Sequence, residues 1–359
     1  MEHANYMEIS LAALERNAKT LMESVSVPVI AVVKCDGYGT GIVTAAKAWQ
    51  SAGAKMFAVS EPWEALALRE NGFTEDILLM APVADTETLS ALLEKGIILT
   101  VTDTGNARFY CENRGEHTLR VHIKVDTGMG RFGIPWDCTQ ELLEVYGMEG
   151  LQIEGIFSHF GKSFEKAYDL TGKQLAQFLL AVKGVEDAGF KPGIRHIANS
   201  CAALRFPQTH LDAVRIGSGL VGALIAPVPV KLERVHTFKA QVVAVRTLKK
   251  GDTTGYASVY KMKKDAKILV AAVGQDCGFA LAGEPDPYPV RDFLFYLRDL
   301  YRRWKNPHKV IFNGKSGALI GRVGSQYTVF LADGMDVKPG DYVDVPVNLL
   351  RNKAARIYK

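Results

Sequence analysis

The chain has 359 residues, of which 48% are hydrophobic and 23% charged. These values are ordinary for a globular protein, and the length suits one large domain followed by a second. The 43 basic residues are spread along the chain and the net charge is only +4, so no nucleic-acid partner is expected. The five cysteines form no CxxC pair, which argues against a metal site. Because no apolar run reaches the ~18 residues that cross a bilayer, we expect a cytoplasmic protein without a membrane partner.

Eight short apolar runs alternate with amphipathic stretches in residues 1–225. The runs predict strands at 29–33, 56–59, 77–80, 97–101, 121–125, 152–157, 194–197 and 213–216. Helical spacing is clear between them, for instance over residues 61–70. Strands that alternate with helices indicate parallel βα units. Eight such units favour a (β/α)8 TIM-type barrel, an α/β fold, over an open sheet, so we expect a barrel domain over residues 1–225.

Lys34 ends the first predicted strand and is followed by a glycine-rich stretch that contains Tyr38. Glycines carry no Cβ and let a ligand approach the backbone. A lysine at this position is placed to form a Schiff base with a carbonyl cofactor, although it can also snorkel at the rim of a barrel. Catalytic groups of barrels lie at the carboxyl ends of the strands. Other polar residues fall at such ends, namely the 124–131 segment, His159, Asn199, Ser200 and the 215–218 segment, and they favour a functional role for Lys34.

The remaining residues, 226–359, read as a second, β-strand-rich domain. Apolar runs separated by turn sequences predict strands at 236–247, 267–273, 309–312, 327–331 and 342–347. A helical insertion near 290–305 interrupts them with an apolar stripe of Val290, Phe293, Leu294, Leu297, Tyr301 and Trp304. Such a stripe predicts a helix that packs in a core or at a dimer interface.

Six sequence blocks resemble those of the alanine racemase family, in the family's order and over nearly the whole chain. AVVKCDGYG (31–39) is similar to AVVKANAYGHG, and KVDTGMGRFG (124–133) to KVDTGMGRLG. FSHF (157–160), HIANS (196–200), VRIG (214–217) and GDTTGY (251–256) match the THF, HMANSAA, VRPGI and GDTVSYG segments. Members of that family are pyridoxal phosphate (PLP) enzymes with a barrel followed by a β domain. The resemblance therefore implies a PLP-dependent amino-acid racemase, an isomerase, with alanine as the default substrate.

The resemblance also implies a two-base mechanism. Racemisation removes a proton from one face of Cα and returns a proton to the other. Lys34, which would hold PLP as a Schiff base, would serve one face, and Tyr256, which matches the family's catalytic tyrosine, the other. An unperturbed tyrosine titrates near ~10, so Tyr256 needs a cationic or hydrogen-bonding environment to transfer protons near neutral pH. In the family this tyrosine reaches the active site of the neighbouring subunit, which implies a homodimer.

Further roles follow from the matched blocks. Arg215 would face the pyridine nitrogen of PLP and, because arginine stays protonated, would leave that nitrogen unprotonated. His159 would support Arg215 or the ring, or be a core histidine. Arg131 would hold the phenolic oxygen of PLP or the substrate carboxylate, and Lys124 matches a lysine that is carbamylated in some members. Hydroxyls and N–H groups would surround the phosphate at Tyr38, Ser200, Gly217 and Ser218.

The chain departs from the family mainly on the substrate side. Thr40 stands where the family has histidine, and Ala257 where it has glycine. The GRVCMDQ block reads GRVGSQ (321–326), so Ser325 takes the position whose N–H meets the substrate carboxylate. The tyrosine of the C-terminal YRVPR segment is absent from residues 347–353. These changes leave open a racemase of another amino acid such as serine, or a non-catalytic PLP-binding or regulatory protein. A related barrel decarboxylase is a third alternative, but no matching phosphate loop or late catalytic cysteine is found.

Overall fold

The computed structural model describes residues 3–165, 167–224, 226–280, 288–347, 352 and 354–359. The chain divides into two compact units. The barrel unit is Leu11–Val235, and the β unit combines Met1–Ser10 with His236–Lys359.

Eight parallel strands close on themselves in the barrel unit. Their bounds are Val29–Val32, Met56–Val59, Asp76–Leu79, Leu99–Val101, Leu119–Asp126, Leu151–Phe157, Ile194–His196 and Val214–Ile216. The eight strands form two hydrogen-bonded sets, and the last strand pairs with the first. Single bridges between Leu78 and Ile98 and between His196 and Ala213 join the two sets. A short strand, Ile134–Pro135, pairs with the end of Leu119–Asp126. The eight strands confirm the predicted barrel, and each overlaps its predicted apolar run.

Helices follow the strands around the barrel. Their bounds are Leu11–Glu23, Ile42–Ser51, Pro62–Glu70, Thr86–Glu94, Thr104–Asn113, Thr139–Tyr146, Asp169–Asp187 and Ser200–Arg205, with 3₁₀ turns at Pro207–Thr209 and Ser218–Val221. Successive strand residues point to opposite faces, and one set forms an apolar cluster of Ile30, Val32, Ala58, Leu78, Ile98 and Ala213. Tyr38 packs against that cluster, so the Lys34 segment rests directly on the barrel core.

A mixed sheet builds the β unit around the long strand His236–Leu248. Its other strands are Asn5–Ile9, Ala266–Ala271, Lys309–Phe312, Lys315–Ala318, Thr328–Leu331, Tyr342–Val345 and Ala355–Tyr358, and Thr253–Thr254 forms a separate hairpin with Tyr260–Lys261. 3₁₀ turns lie at Tyr256–Ser258 and Gln275–Cys277. The division differs from the predicted domains of 1–225 and 226–359, because Asn5–Ile9 pairs antiparallel with residues 236–240. This pairing joins the first ten residues to the second unit.

The helix Pro289–Lys305 lies where the sequence predicts it, but its environment differs from a packed helix. None of its residues is buried. The helix is therefore not part of the core of the single chain, and packing at a dimer interface stays a prediction, because amphipathic spacing shows which face is apolar and not what covers it. Among the described residues, none of the helices combines the length and apolar content that crossing a bilayer requires.

Candidate active site

The backbone after Lys34 makes a left-handed turn. Cys35, Asp36, Gly37 and Tyr38 have φ values of 55°, 53°, 63° and 54°. This conformation costs a non-glycine residue roughly 1–2 kcal/mol, and such strain persists where the surroundings enforce it, often at functional sites. Lys34 itself is half-buried at the end of a fully buried strand. The strand before the lysine and the turn after it thus fix the backbone on both of its sides.

Two carboxylates hold this turn in place. Glu64, which is fully buried, accepts a hydrogen bond from the Asp36 N–H (3.0 Å) through Oε1. Its Oε2 accepts from the N–H groups of Ser60 (2.9 Å) and Glu61 (3.0 Å). Asp36 in turn accepts from the Ile42 N–H (2.8 Å). Sequence reasoning did not identify Glu64, because its helical spacing marks it only as part of an amphipathic helix.

Thr40 closes the same turn from inside. Its buried hydroxyl donates to the Gly37 carbonyl at 2.6 Å. A Cβ on Gly37 would lie 2.8 Å from the Cβ of Ala45, so this position also needs glycine for close packing. The histidine-to-threonine departure therefore replaces a ring with a short side chain that ties the turn to itself.

The predicted phosphate-binding residues meet at neighbouring strand ends. A Cβ on Gly217 would lie 2.2 Å from the Tyr38 hydroxyl, and the Gly217 N–H donates to the Ser200 hydroxyl (3.0 Å). Ser218 begins the 3₁₀ turn that follows. Burial raises the pKa of Tyr38, so its hydroxyl stays protonated and able to donate. These residues form a cradle of hydroxyl and N–H groups from which a side chain at 217 is excluded.

Arg215 is buried among neutral acceptors. Its guanidinium donates to the Ser158 carbonyl (2.6 Å) and the His196 carbonyl (3.0 Å), and contacts the Nδ1 atoms of His196 (2.7 Å) and His159 (3.4 Å). Burial lowers the pKa of Arg215 to about 9, which leaves it protonated at neutral pH. The structure thus brings Arg215 into contact with His159 and His196.

A chain of two histidines, His196 and His122, extends from Arg215. Since a guanidinium only donates, Nδ1 of His196 accepts, and its Nε2 carries the proton towards Nδ1 of His122 at 2.9 Å. Burial, with the charge of Arg215, lowers the pKa of His196 far below its usual value and that of His122 to about 3. Both rings are therefore neutral, and they orient Arg215 without adding charge. Sequence reasoning missed His122, whose role depends on a contact 74 residues away.

Lys124 and Arg131 flank this cluster. The Lys124 ammonium lies 4.9 Å from the centre of the Phe157 ring, which also faces Arg215 at 5.2 Å. Burial, and then the charges of Arg215 and Arg131, lower the pKa of Lys124 to about 7. Asp126 accepts hydrogen bonds from three consecutive N–H groups, residues 128 to 130, and so shapes the loop that presents the exposed Arg131.

The cluster is strongly cationic. After burial, the charges of Arg215, Lys124, Lys34 and Arg131 each lower the pKa of His159. Four cations around one neutral ring suit an anionic ligand, since an opposite charge would stabilise all of them. Among the described residues, no group of three or more His, Cys, Asp or Glu side chains could hold a metal ion.

The β unit contains the other two predicted site residues. Tyr256 is 70% exposed and begins the turn Tyr256–Ser258, in which Ala257 (φ 58°) and Ser258 (φ 49°) are left-handed. A Cβ on Gly255 would lie 2.9 Å from the Arg322 nitrogen. The tyrosine turn therefore packs directly against the block in which the chain departs from the family.

Ser325 lies at the far end of that block, against a second loop. Its carbonyl accepts from the Asp276 N–H (3.1 Å), and the Gly324 carbonyl accepts from the Gln275 N–H (3.0 Å). A Cβ on Gly274 would lie 2.2 Å from the Ser325 carbonyl oxygen. Residues 321–325 thus connect the tyrosine turn with the 274–276 loop inside the β unit.

Together these features define a two-unit α/β protein, with a cationic cluster at the strand ends of its barrel. The family described as alanine racemase, N-terminal domain, matches residues 9–224. The alanine racemase of Symbiobacterium thermophilum is 32% identical over 346 residues, which cover 94% of this chain and 86% of that protein. The alanine racemase of Carboxydothermus hydrogenoformans is 31% identical, with 86% and 80% covered. The chain belongs to the alanine racemase family, a family of PLP-dependent isomerases.

Solved structures agree with this assignment. The structure of alanine racemase from Bacillus anthracis with bound L-Ala-P has a TM-score of 0.84 and 26% identity, with 100% of this chain and 96% of that chain covered. The histidine racemase from Leuconostoc mesenteroides shares the fold at a TM-score of 0.83 and 22% identity, with 100% of this chain and 98% of that chain covered. The resemblance read from the six sequence blocks is confirmed, whereas the fold alone does not select one amino acid.

Proposed function

We propose that this protein is a PLP-dependent alanine racemase that interconverts L-alanine and D-alanine. The observation that carries the proposal is Lys34, which lies between a buried strand and the left-handed turn that leads into the Tyr38–Gly217–Ser200 cradle. The names of the curated relatives support alanine as the amino acid. Because these relatives are named as enzymes, they also favour a catalytic protein over a non-catalytic PLP-binding or regulatory one.

The donors of the barrel unit fit PLP. The cradle of Tyr38, Ser200, Gly217 and Ser218 suits a phosphate group, because hydroxyl and N–H donors are the groups that bind it. Lys34 would hold the aldehyde carbon, and Arg215, with His159 beside it, would face the ring nitrogen. When bound, PLP supplies an electron sink for the charge that develops at Cα. Since Arg215 donates and does not release its proton at neutral pH, it would leave the ring nitrogen as an acceptor.

Proton transfer is assigned to Lys34 on one face of Cα and to the Tyr256 hydroxyl on the other. The 70% exposure of Tyr256 in a single chain supports a homodimer in which this side chain enters the partner's site. Arg131 and the backbone at Ser325 would then orient the substrate carboxylate. The lowered pKa of Lys124, about 7, leaves a neutral amine fraction that can take up carbon dioxide, which supports a carbamate at this position that orients Arg131.

A cytoplasmic location is also proposed for this enzyme. The five cysteines, Cys35, Cys111, Cys138, Cys201 and Cys277, are free thiols. Free thiols, two of them exposed, are typical of a reducing compartment.

Two substitutions test the mechanism. In the purified protein, Lys34→Ala should abolish both the visible absorbance of bound PLP and the conversion of L-alanine to D-alanine. Tyr256→Phe should keep that absorbance but lower racemisation by about 10²–10⁴-fold, since general acid–base groups contribute on that scale. The readouts are the absorbance spectrum and the uptake of deuterium at Cα in heavy water. Full PLP occupancy without Cα exchange for any standard amino acid would contradict the racemase function.

A different amino acid is the second candidate, and Ser325 favours it. The block 321–326 both carries Ser325 and packs against the tyrosine turn, so its departure from the family changes the substrate side. A screen of all standard L-amino acids for the D-product distinguishes the two candidates. A kcat/KM for serine or another amino acid above that for alanine would replace alanine as the substrate and leave the mechanism unchanged.

A further inference from the structure

The helix Pro289–Lys305 presents an uncovered apolar face. At 3.6 residues per turn, seven of its apolar residues occupy one arc of about 120°, and Phe295 and Tyr296 lie outside it. The seven have exposed fractions from 42% to 78%, and they are Val290, Phe293, Leu294, Leu297, Leu300, Tyr301 and Trp304. This face is therefore accessible along the whole length of the helix.

The exposure of the helix differs from that of an ordinary surface helix. Such helices turn the apolar stripe towards a core and the charges towards water. Here fifteen of the seventeen residues are exposed, and the two that are partly covered are Asp292 and Asp299. The apolar side of this helix is therefore exposed, and its acidic side is partly covered, Asp299 by Arg298 and Arg302 of the same helix.

The charges are sorted around the helix. Arg291, Arg298, Arg302 and Lys305 border one edge of the apolar arc and Arg303 lies on the other flank, so that the helix carries five bases and two acids. Asp292 and Asp299 lie opposite the arc. Tyr288 and Trp304, exposed by 64% and 78%, mark the two ends of the helix. A flat surface that meets the apolar face would therefore also meet a basic rim and, at the C-terminal end, the interfacial aromatic side chain of Trp304.

From this arrangement we propose that the helix Pro289–Lys305 binds lengthwise to an anionic phospholipid surface. Side chains such as Phe293, Leu297 and Trp304 enter the boundary between headgroups and acyl chains, and the basic rim contacts lipid phosphates. The helix has 17 residues, about 25 Å at 1.5 Å per residue, and lies in the interface without spanning the bilayer. The sequence led us to expect no membrane partner because it lacks a spanning run, but an interfacial helix needs none.

A second copy of the chain fits this face less well. Antiparallel pairing of two such helices would place the Arg291, Arg298 and Arg302 edge against the same edge of the other copy. Like charges at such positions repel. Asp299 lies 3.5 Å from Arg298 and 3.9 Å from Arg302 on the same helix, but five bases and two acids leave each helix a net charge of +3, so the two edges still repel. An anionic lipid surface neutralises both flanks at once, and charge complementarity therefore selects it.

Vesicle co-sedimentation of the full chain tests the proposal. The protein should pellet with vesicles of mixed phosphatidylglycerol and phosphatidylcholine, and should stay in the supernatant with phosphatidylcholine alone. Raising the salt concentration should weaken the binding, because exposed charges are screened. The assay does not depend on racemase activity, so it can fail or succeed independently of the proposed function.

A matched pair of variants separates the apolar face from general damage. Phe293→Asp places a charge inside the apolar arc and should abolish co-sedimentation. Phe295→Asp introduces the same charge two residues away, outside the arc, and should leave binding within about threefold of the wild type. Circular dichroism should show that both variants keep the fold. Equal loss in the two variants would overturn the proposal.

The basic rim is tested separately. Removing three charges by Arg291→Gln, Arg298→Gln and Arg302→Gln should lower the partition coefficient by about 100-fold, since each base near an anionic surface contributes about fivefold. Absence of binding to anionic vesicles would overturn the proposal. So would a concentration-dependent self-association, or a complex with an acidic protein, that is lost in Phe293→Asp while vesicle binding is not observed.

Discussion

At the residue scale, Ala257 shows what the departure from the family costs locally. It follows the proposed catalytic tyrosine with φ 58° and ψ 21°, a conformation that glycine adopts without a penalty. The family's glycine at this position is thus explained by backbone geometry. In this chain the surroundings, including the contact of Gly255 with Arg322, must enforce the turn.

Ala257→Gly should therefore stabilise the β unit. Relief of the left-handed strain, roughly 1–2 kcal/mol, is partly offset by the greater freedom of glycine in the unfolded chain, about 0.4–1 kcal/mol. The expected net gain is about 0.5–1 kcal/mol, measured as a higher urea midpoint. The matched control is Ala52→Gly, at a helix end with φ −78°, where the same change should lower the midpoint. A decrease with Ala257→Gly would show that the turn is not strained.

At the scale of elements, barrel strands such as Val29–Val32 and Met56–Val59 could be predicted from the sequence because both of their faces are buried. Continuous apolar runs such as 29–33 and 56–59 record this burial directly. The strand Asn5–Ile9 and the helix Leu11–Glu23 are absent from the prediction. The strand's partners, residues 236–240 and Ala355–Tyr358, lie more than 220 residues away, and a run of five residues gives no sign of them.

The site divides in the same way. Lys34, Arg215 and Tyr256 were identifiable as candidate site residues because they stand in family blocks. Glu64 and His122 were not, since each acts through contacts with backbone or rings far along the chain. The residues of the C-terminal departure at 348–351 and 353 lie outside the described part of the structure. Local sequence therefore predicts the residues expected to contact the ligand. The three-dimensional contacts identify the residues that position those side chains.

The turn after Lys34 should depend on the Glu64 carboxylate more than on Glu61, which caps the helix Pro62–Glu70. Glu64→Ala would leave three N–H groups without their acceptor, at a cost of about 3 kcal/mol or more, and would release the left-handed turn. We expect at least a tenfold loss of PLP affinity in an absorbance titration. Glu61→Ala is the matched control, because this exposed residue supplies only the helix cap, at about 1 kcal/mol. Equal PLP affinity in the two variants would show that Glu64 does not support the turn.

At the scale of the whole molecule, the barrel unit contains a cluster of buried cations and neutral histidines. Arg215, Lys124 and the rings of His122, His159 and His196 are all largely removed from water. Desolvation disfavours the charged form of each. The cluster therefore favours an anionic ligand, and the same desolvation makes the fold sensitive to acid.

The sign of this sensitivity follows from the histidines. Burial lowers the pKa of His122 to about 3 and lowers those of His159 and His196 well below their usual value, whereas unfolded histidine titrates near ~6.5. Below pH ~6.5 the histidines of the unfolded chain bind protons, whereas those of the native cluster stay neutral. The free energy of unfolding therefore keeps its full value above this pH and decreases as the pH falls. Each histidine contributes a slope approaching about 1.4 kcal/mol per pH unit.

Urea unfolding of the purified chain between pH ~6.5 and ~5 should therefore show the free energy of unfolding falling by up to about 4 kcal/mol per pH unit. This range lies above the usual titration of carboxylates near ~4, so the histidines dominate the change. His122→Asn should reduce the slope by about one third, whereas His117→Asn, on an exposed loop, should leave it unchanged. A slope that is insensitive to His122→Asn would show that the His122 ring is protonated in the native barrel, and that the chain of donors from Arg215 runs differently.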